Sequence, residues 1–211
     1  MEKYLHPTFY LDCDHPRVVA YAEMHAGPYG SPREKAVALY YAVRDGFRYD
    51  PYDIVLRPSA LKASFLLEKP HGYCIEKAIV LAAAARAVGI PSRLGFVDVR
   101  NHIATEKLQQ HLRTDVMAFH GYAELFLEDR WVQATPAFNA SLCDRLGVAP
   151  LEFDGVNDAV LQEYDAEKGI FMEYLQEHGT FEDMPFEQFV RALSVHYPHL
   201  VGEPEQYLAR E

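Results

Sequence analysis

The sequence predicts an α+β domain in which helices pack on an antiparallel sheet. Residues 74–88 are almost entirely apolar, which is typical of a helix buried on all sides. Residues 117–127 alternate in character along the chain, as expected of a strand whose two faces differ. A two-residue turn at Glu128-Asp129 would return the chain as a second strand over 131–135, so this region is expected to form a hairpin.

The remaining elements are predicted from local signals along the chain. Ser31 precedes Pro32 and lies three residues before Glu34, which is the pattern of a helix start closed by a capping box. In chain order, we expect a short strand at 8–11, a helix at 16–26, the helix beginning at Ser31, a short helix at 60–67, a strand at 93–97 and a final helix at 186–197.

The composition restricts the function classes. The chain has 20 Lys and Arg against 31 Asp and Glu, a formal net charge of −11, which argues against nucleic-acid binding and against docking on an anionic membrane. We expect no signal peptide, because the N-terminus has no continuous apolar stretch, and no membrane span, because the longest aliphatic run, Ala78 to Ala85, is too short. An odd, low count of 3 cysteines gives no disulfide framework, so a cytoplasmic protein is expected.

Cys74 is the candidate nucleophile, because it lies at the predicted start of the buried helix. The helix dipole and the unpaired N–H groups there stabilise an anion, so the position is expected to favour thiolate. His120 lies later in the chain, in the first strand of the hairpin, and could act as the base. A cysteine at a helix start with a strand histidine is the arrangement of nucleophilic acyl transfer. The alternative interpretation is a buried structural thiol and a structural histidine.

The hairpin register indicates a partner for His120. If Glu128-Asp129 is the turn, Thr135 lies diagonal to His120 on the same face of the sheet and within side-chain reach. A polar group there could accept the imidazole N–H and fix its tautomer. Asn139 falls on the same face by parity, although Pro136 disturbs the ladder between them.

Three segments resemble the transglutaminase-like superfamily. Gly72-Tyr73-Cys74, the helix after it and Val88-Gly89-Ile90-Pro91-Ser92-Arg93 resemble its nucleophile segment. His120-Gly121-Tyr122-Ala123-Glu124 resembles its histidine strand, and Trp131-Val132-Gln133-Ala134-Thr135-Pro136 its third-residue strand. The upstream Phe47-Arg48-Tyr49-Asp50 is also similar to the segment before the nucleophile.

The resemblance implies a papain-like core over about residues 30–139, with Cys74 as nucleophile and His120 as base. The chain length predicts a single domain, 1–211, and the change of pattern after Asn139 predicts that residues 140–211 are a C-terminal elaboration that covers part of the site. Thr135 stands where the family usually carries an Asp, which leaves Asn139 or Asp98 as alternative residues to orient the histidine.

The expected activity is thiol-dependent acyl transfer or hydrolysis of an amide in a peptide or a small molecule. Water as the second substrate gives a peptidase or amidase, and an amine gives cross-linking. The alternatives are a binding or scaffold module with weak or lost catalysis, for which the Thr135 substitution is the motive, and an acetyltransferase using a thioester donor. No cofactor is expected, and the spacings around Cys13-Asp14-His15 and His196-Tyr197-Pro198-His199 do not predict a metal site.

Overall fold

A computed structural model describes residues 1–102, 105–160, 164–165, 169–170 and 172–208. The helices are Pro16–Ala26 (α1), Pro32–Gly46 (α2), Ala63–Leu66 (α3), Cys74–Ala87 (α4), Glu106–Leu112 (α5), Ala140–Leu146 (α6), Phe186–His196 (α7), Pro198–Val201 (α8) and Glu205–Leu208 (α9). The strands are Arg48–Tyr49 (β1), His71–Gly72 (β2), Ser92–Asn101 (β3), Val116–Leu127 (β4), Arg130–Ala134 (β5), Tyr164–Asp165 (β6), Gly169–Ile170 (β7) and Met172–Phe181 (β8).

The main sheet is antiparallel throughout and has the order β5-β4-β3-β8. Helix α4 packs on β4 and β3 with one side and contacts α1, α2 and α3 with others. Every residue of α4 except Ala87 is buried, so the expected fully enclosed helix is confirmed. The fold is therefore the predicted α+β arrangement, with the nucleophile helix at the centre of the core.

The hairpin forms with the predicted register. Leu127 pairs with Arg130 and Ala123 pairs with Ala134, which makes Glu128 and Asp129 a two-residue turn. Their φ angles are 48° and 63°, the left-handed values that a tight hairpin turn compatible with strand twist requires. Because the last pair is Ala123 with Ala134, Thr135 comes immediately after the end of the ladder.

A β-bulge in β4 lies directly before His120. Val97 pairs with His120 whereas Val99 pairs with Met117, so two residues of β4 lie opposite Asp98. One of them, Phe119, has a φ of 57°, and its N–H donates to the Asp98 carboxylate at 2.8 Å. A bulge changes which face the following side chains occupy. The orientation of His120 is therefore set by a local irregularity that the alternating pattern does not reveal.

Two further differences from the expected elements concern short segments. Residues 8–11 form no strand, since the Tyr10 N–H donates to the Asp183 carboxylate and its carbonyl accepts from Ala63 N–H. The short parallel pair of β1 with β2 was not expected from the pattern. A two-residue strand is too short to show a periodic pattern, so the surrounding fold determines whether it forms.

The C-terminal part packs on the core through α7, which contacts β4. Tyr197, directly after α7, donates its hydroxyl to the Val116 carbonyl at 2.8 Å and accepts from Ala118 N–H at 2.7 Å. These are backbone groups of the part of β4 that lies beyond the pairing with β5. Across the described ranges, no helix has the length and apolar character needed to cross a membrane.

Candidate active site

Cys74 is the first residue of α4 and is only 6% exposed. The helix start is fixed by a buried carboxylate, since Glu76 accepts from the Tyr73 N–H at 3.3 Å and from Lys69 Nζ at 2.9 Å. A carboxylate in the first turn satisfies an otherwise unpaired N–H and complements the helix dipole. Cys74 therefore lies at a helix start that is fixed by the hydrogen bonds of Glu76.

The pairing of β1 with β2 places Tyr49 beside the nucleophile segment. Tyr49 is the register partner of Gly72, two residues before Cys74. On the other flank, Asn139 accepts from the Tyr49 N–H at 3.0 Å through its side-chain oxygen. Tyr49 is half-buried with a buried hydroxyl oxygen, and its ring packs edge-on against Phe138 at a centroid distance of 4.8 Å.

Lys77 connects α4 to the segments that contain Tyr49 and Asn139. Its Nζ donates to the carbonyls of Arg44, Phe47 and Ala137 at 2.8, 2.9 and 2.7 Å. Three acceptors match the three N–H bonds of an ammonium group. Burial nevertheless lowers the pKa of Lys77 to about 7. This residue lies one turn into α4 and so links the helix to the segments before β1 and after β5.

Cys74 and His120 line one small cavity of about 40 Å³. Part of its wall comes from the C-terminal elaboration, in the side chains of Phe189, Leu193 and Tyr197. The other lining residues are Tyr49, Pro51, Ile54, Tyr73, Ile75, Leu112, Met117, Ala118 and Phe119. The structure thus brings the two predicted catalytic residues to a shared, mostly apolar enclosure partly covered by α7.

The electrostatics of this enclosure differ from the expectation of a resting thiolate. Burial raises the pKa of Cys74 to about 11, although the N–H groups of Gly121, Ile75 and Cys74 itself act in the opposite direction. Burial also lowers the pKa of His120 to about 4. The prediction that the helix start favours thiolate therefore does not hold for Cys74, because desolvation outweighs the helix amides. The pair rests as a neutral thiol and a neutral imidazole.

None of the three candidate orienting residues hydrogen-bonds to His120. Within the described residues, neither ring nitrogen of His120 has a partner, and the Thr135 hydroxyl also has none. His120 and Thr135 do line a common cavity of about 10 Å³, at the limit of what one water requires. Thr135 therefore lies near the histidine without bonding to it.

The other two candidates are engaged elsewhere. Asp98 accepts from the Phe119 N–H and lies 2.8 Å from the His178 ring nitrogen, so it stabilises the bulge. The side-chain oxygen of Asn139 accepts from the Tyr49 N–H, and its amide N–H donates to the Ser141 hydroxyl at 2.7 Å. Both residues accept hydrogen bonds from backbone N–H groups near the site, and neither one hydrogen-bonds to His120.

Sequence reasoning missed Tyr49, Tyr73 and Lys77 as site residues. The hydroxyls of Tyr49 and Tyr73 are buried without a hydrogen-bond partner in the described part of the chain, and both rings line the Cys74 cavity. The only available signal for Tyr49 was its place in Phe47-Arg48-Tyr49-Asp50, ahead of the nucleophile. Lys77 gave no signal, since a lysine between apolar helix residues is usually solvated.

Over the described residues, no group of three or more His, Cys, Asp and Glu side chains is placed to hold a metal ion. The acyl-transfer chemistry of a thiol and an imidazole requires none.

The family comparison agrees with the motifs. Residues 20–136 match the family model of the transglutaminase-like superfamily. Among curated proteins, none matches this chain.

A similar fold occurs in a solved structure. The chain is similar to the crystal structure of a "Putative Cysteine Protease" from Cytophaga hutchinsonii, with a TM-score of 0.50 and 16% sequence identity. The match covers 84% of this chain and 53% of that one, so this chain spans about half the length of its structural neighbour. At this level of identity the likeness concerns the fold.

Proposed function

Because the chain belongs to the transglutaminase-like superfamily, we propose that it acts on an amide by thiol-dependent acyl transfer or hydrolysis at Cys74 and His120. The observation that carries the proposal is the shared cavity of these two side chains at the start of α4. A nucleophile and a base brought together from separate elements are the minimum for covalent acyl chemistry. The substrate is a peptide or an amide-bearing small molecule.

The proposed reaction begins from the neutral pair. His120 takes the proton of the Cys74 thiol while the sulfur attacks the amide carbonyl carbon, and the C=O π electrons move to oxygen. The oxyanion is stabilised by the Cys74 backbone N–H at the helix start and by the Tyr49 hydroxyl, which lacks another partner among the described residues. The imidazolium then protonates the leaving amine as the C–N bond breaks, which leaves an acyl thioester on Cys74.

The second half of the reaction determines the enzyme class. Water or an amine attacks the thioester, and His120 accepts the proton of this nucleophile and returns it to the departing sulfur. Water gives a free acid, as in a cysteine peptidase or amidase, and an amine gives a new amide, as in a transglutaminase. We further propose a cytoplasmic location, supported by three buried cysteines that form no disulfide.

The test is detection of the acyl thioester. The protein is mixed with an activated ester, p-nitrophenyl acetate, and with peptide amides, and its mass is measured with and without a primary amine. We expect one acyl adduct on Cys74, loss of it in Cys74→Ala, and acylation about 10²-fold slower or worse in His120→Gln. Cys13→Ser is the matched control, because Cys13 is another buried thiol outside the cavity.

A contrary result is equally well defined. If Cys74 is acylated no faster than Cys13, or if His120→Gln leaves the rate unchanged, the two residues do not form a catalytic pair. Acid release without amine incorporation would assign the hydrolase class, and amine incorporation would assign the transferase class.

One observation favours a second candidate, a catalytically weak or inactive module of the same fold. His120 has no charged or polar partner in the described residues, and the position of the usual carboxylate is Thr135. Loss of an orienting carboxylate from such a site costs several orders of magnitude in rate. Under this candidate, Thr135→Asp raises both the pKa of His120 and the acylation rate. A fast wild-type reaction that Thr135→Asp does not improve would exclude it.

A further inference from the structure

A second cavity adjoins the site and has a different character. Its volume is about 180 Å³, against about 40 Å³ for the Cys74 cavity, and the two share Tyr49 and Pro51 as walls. A space of about 40 Å³ holds little more than the reacting amide. A substrate side chain therefore needs a neighbouring space, and this cavity lies across the shared wall.

The floor of the second cavity is apolar and aromatic. Its lining residues are Tyr49, Pro51, Tyr52, Asn101, Thr105, Leu108, Phe138, Leu142, Arg145 and Leu146. Such linings contribute to affinity through apolar burial, and a few polar groups then determine orientation. The substrate group that fits must accordingly present an apolar stem.

The charge of the lining is opposite to that of the chain. The formal net charge is −11, yet the only ionised side chain among the described lining residues is Arg145, and no Asp or Glu lines the cavity. Arg145 is exposed and forms no ion pair with any acidic residue in the described part of the chain. A second cation, Lys107, lies 4.5 Å from the ring centroid of Tyr52, which lines the same cavity.

The larger cavity of the molecule does not compete for this role. It has a volume of about 980 Å³ and is lined by residues of α2 and the β4–β5 turn, such as Tyr41 and Glu128. It shares none of its described lining residues with the Cys74 cavity. Of these two larger cavities, the one lined by Arg145 (the Arg145 cavity) shares walls with the Cys74 cavity, so it is the neighbouring space for a substrate bound at Cys74.

We infer that the Arg145 cavity is a substrate subsite for an acyl donor that carries an apolar stem and a carboxylate near the reacting amide. The inference rests on the proposed function, since it places the reacting carbonyl at Cys74. Guanidinium and carboxylate form charge-assisted hydrogen bonds with defined geometry. The carboxylate is either an acidic side chain or a peptide C-terminus, and both present the same chemistry to Arg145.

The experiment uses peptide chloroacetamides that share one apolar residue and one reactive group. Three carry Glu, Gln or Lys at the adjacent position with an amidated C-terminus, and a fourth carries Gln with a free C-terminus. Alkylation forms a thioether on Cys74 with loss of chloride and the thiol proton, and its rate is followed by intact mass. We expect the Glu probe to react about two- to fivefold faster than the Gln probe, because an ion pair at an exposed side chain contributes about 0.5–1 kcal/mol, and 0.5 M salt to reduce the difference.

Variants of the exposed Arg145 test the cause of the preference. Arg145→Gln should abolish it, and Arg145→Glu should favour the Lys probe, with thermal unfolding showing that each variant is folded. Lys3→Gln is the matched control, because it removes one positive charge at a surface ion pair with Glu182 outside the cavity. The fourth probe distinguishes the source, since a faster rate there identifies a C-terminal carboxylate.

The outcomes separate the two ideas. Labelling of Cys74 at equal rates by all four probes, or a preference that survives Arg145→Gln, overturns the subsite and leaves the thiol chemistry standing. Absence of labelling of Cys74 by all four probes overturns the proposed function, and the subsite with it.

Discussion

The close approach of β4 to α4 at Gly121 gives the sharpest prediction. A Cβ at this position would lie 3.0 Å from Ile75 Cγ1 and 3.1 Å from Ile75 Cα. Optimal separations between carbon atoms are about 3.5–4.0 Å, so Gly121→Ala requires a shift of several tenths of an ångström. Ile75 Cα belongs to the backbone of α4, which cannot move freely because the sheet and other helices enclose it. The shift must therefore separate β4 from α4.

The expected cost follows from this geometry. Inserting one methyl group into a well-packed contact destabilises a protein by about 1–3 kcal/mol. For a domain of this size, about 2 kcal/mol lowers the unfolding midpoint by about 4–8 °C. Gly121 also follows His120 and directs its N–H to the Cys74 thiol, so the same shift separates nucleophile and base. Because misplacement of about 1 Å costs about 10²-fold, we expect acylation to slow by at least about tenfold.

The assay combines calorimetry with the rate of acylation by p-nitrophenyl acetate. Gly46→Ala is the control, since a Cβ there meets no atom within 4 Å and Gly46 lies at the end of α2. Alanine is favoured over glycine in a helix, so this control should match or exceed wild-type stability. If Gly121→Ala behaves like Gly46→Ala in both measurements, the close contact does not hold Cys74 against β4.

Three further predictions concern buried polar groups. Because burial raises the pKa of Cys74 to about 11, its alkylation by iodoacetamide should rise about tenfold per pH unit from pH 7 to 10, and a plateau below pH 8 would contradict this burial. Burial lowers the pKa of Lys77 to about 7, so between pH 7 and its ordinary pKa of 10.5 the unfolded chain binds the extra proton. Stability of the wild type relative to Lys77→Met should therefore grow with pH over this range, by at most about 1.4 kcal/mol per pH unit, and parallel denaturation curves at pH 7 and 9 would refute it. Asn139→Ala should lower the free energy of unfolding in urea by about 1–3 kcal/mol, because it leaves the Tyr49 N–H unpaired. Asn139→Asp keeps the acceptor and should lower it less. Equal losses of stability in the two variants would show that this hydrogen bond is unimportant.

Local patterns were sufficient to predict the elements that carry the site. The apolar run 74–88 predicts a buried helix. The alternation of side-chain character before Glu128-Asp129 predicts both β4 and its register with β5. These features depend on neighbouring residues and on turn chemistry, which a sequence displays directly. The helix start and the strand histidine also indicated the pairing of Cys74 with His120, and the resemblance to the transglutaminase-like superfamily supported it.

The environment of the site could not be predicted in the same way. The thiol is covered by residues such as Phe189 and Tyr197, which lie far along the chain in the C-terminal elaboration. The helix start alone predicts a depressed thiol pKa, and only the three-dimensional cover reverses its direction. Likewise, parity placed Asn139 on the face of His120, but the chain after β5 turns its amide to Tyr49 instead. Long-range packing decides these points, and no local pattern encodes it.

The neutral resting pair restricts how the proposed chemistry can proceed. A thiol with a pKa of about 11 beside an imidazole with a pKa of about 4 keeps its proton, so transfer to His120 is unfavourable until something stabilises the separated charges. No described side chain bonds to His120, and without a substrate the N–H groups of Gly121 and of the start of α4 act on the sulfur. The remaining source of stabilisation is the reaction itself, in which the negative charge moves from sulfur to a carbonyl oxygen held by backbone N–H groups. In the proposed mechanism, proton transfer is therefore coupled to attack of the sulfur on a bound amide.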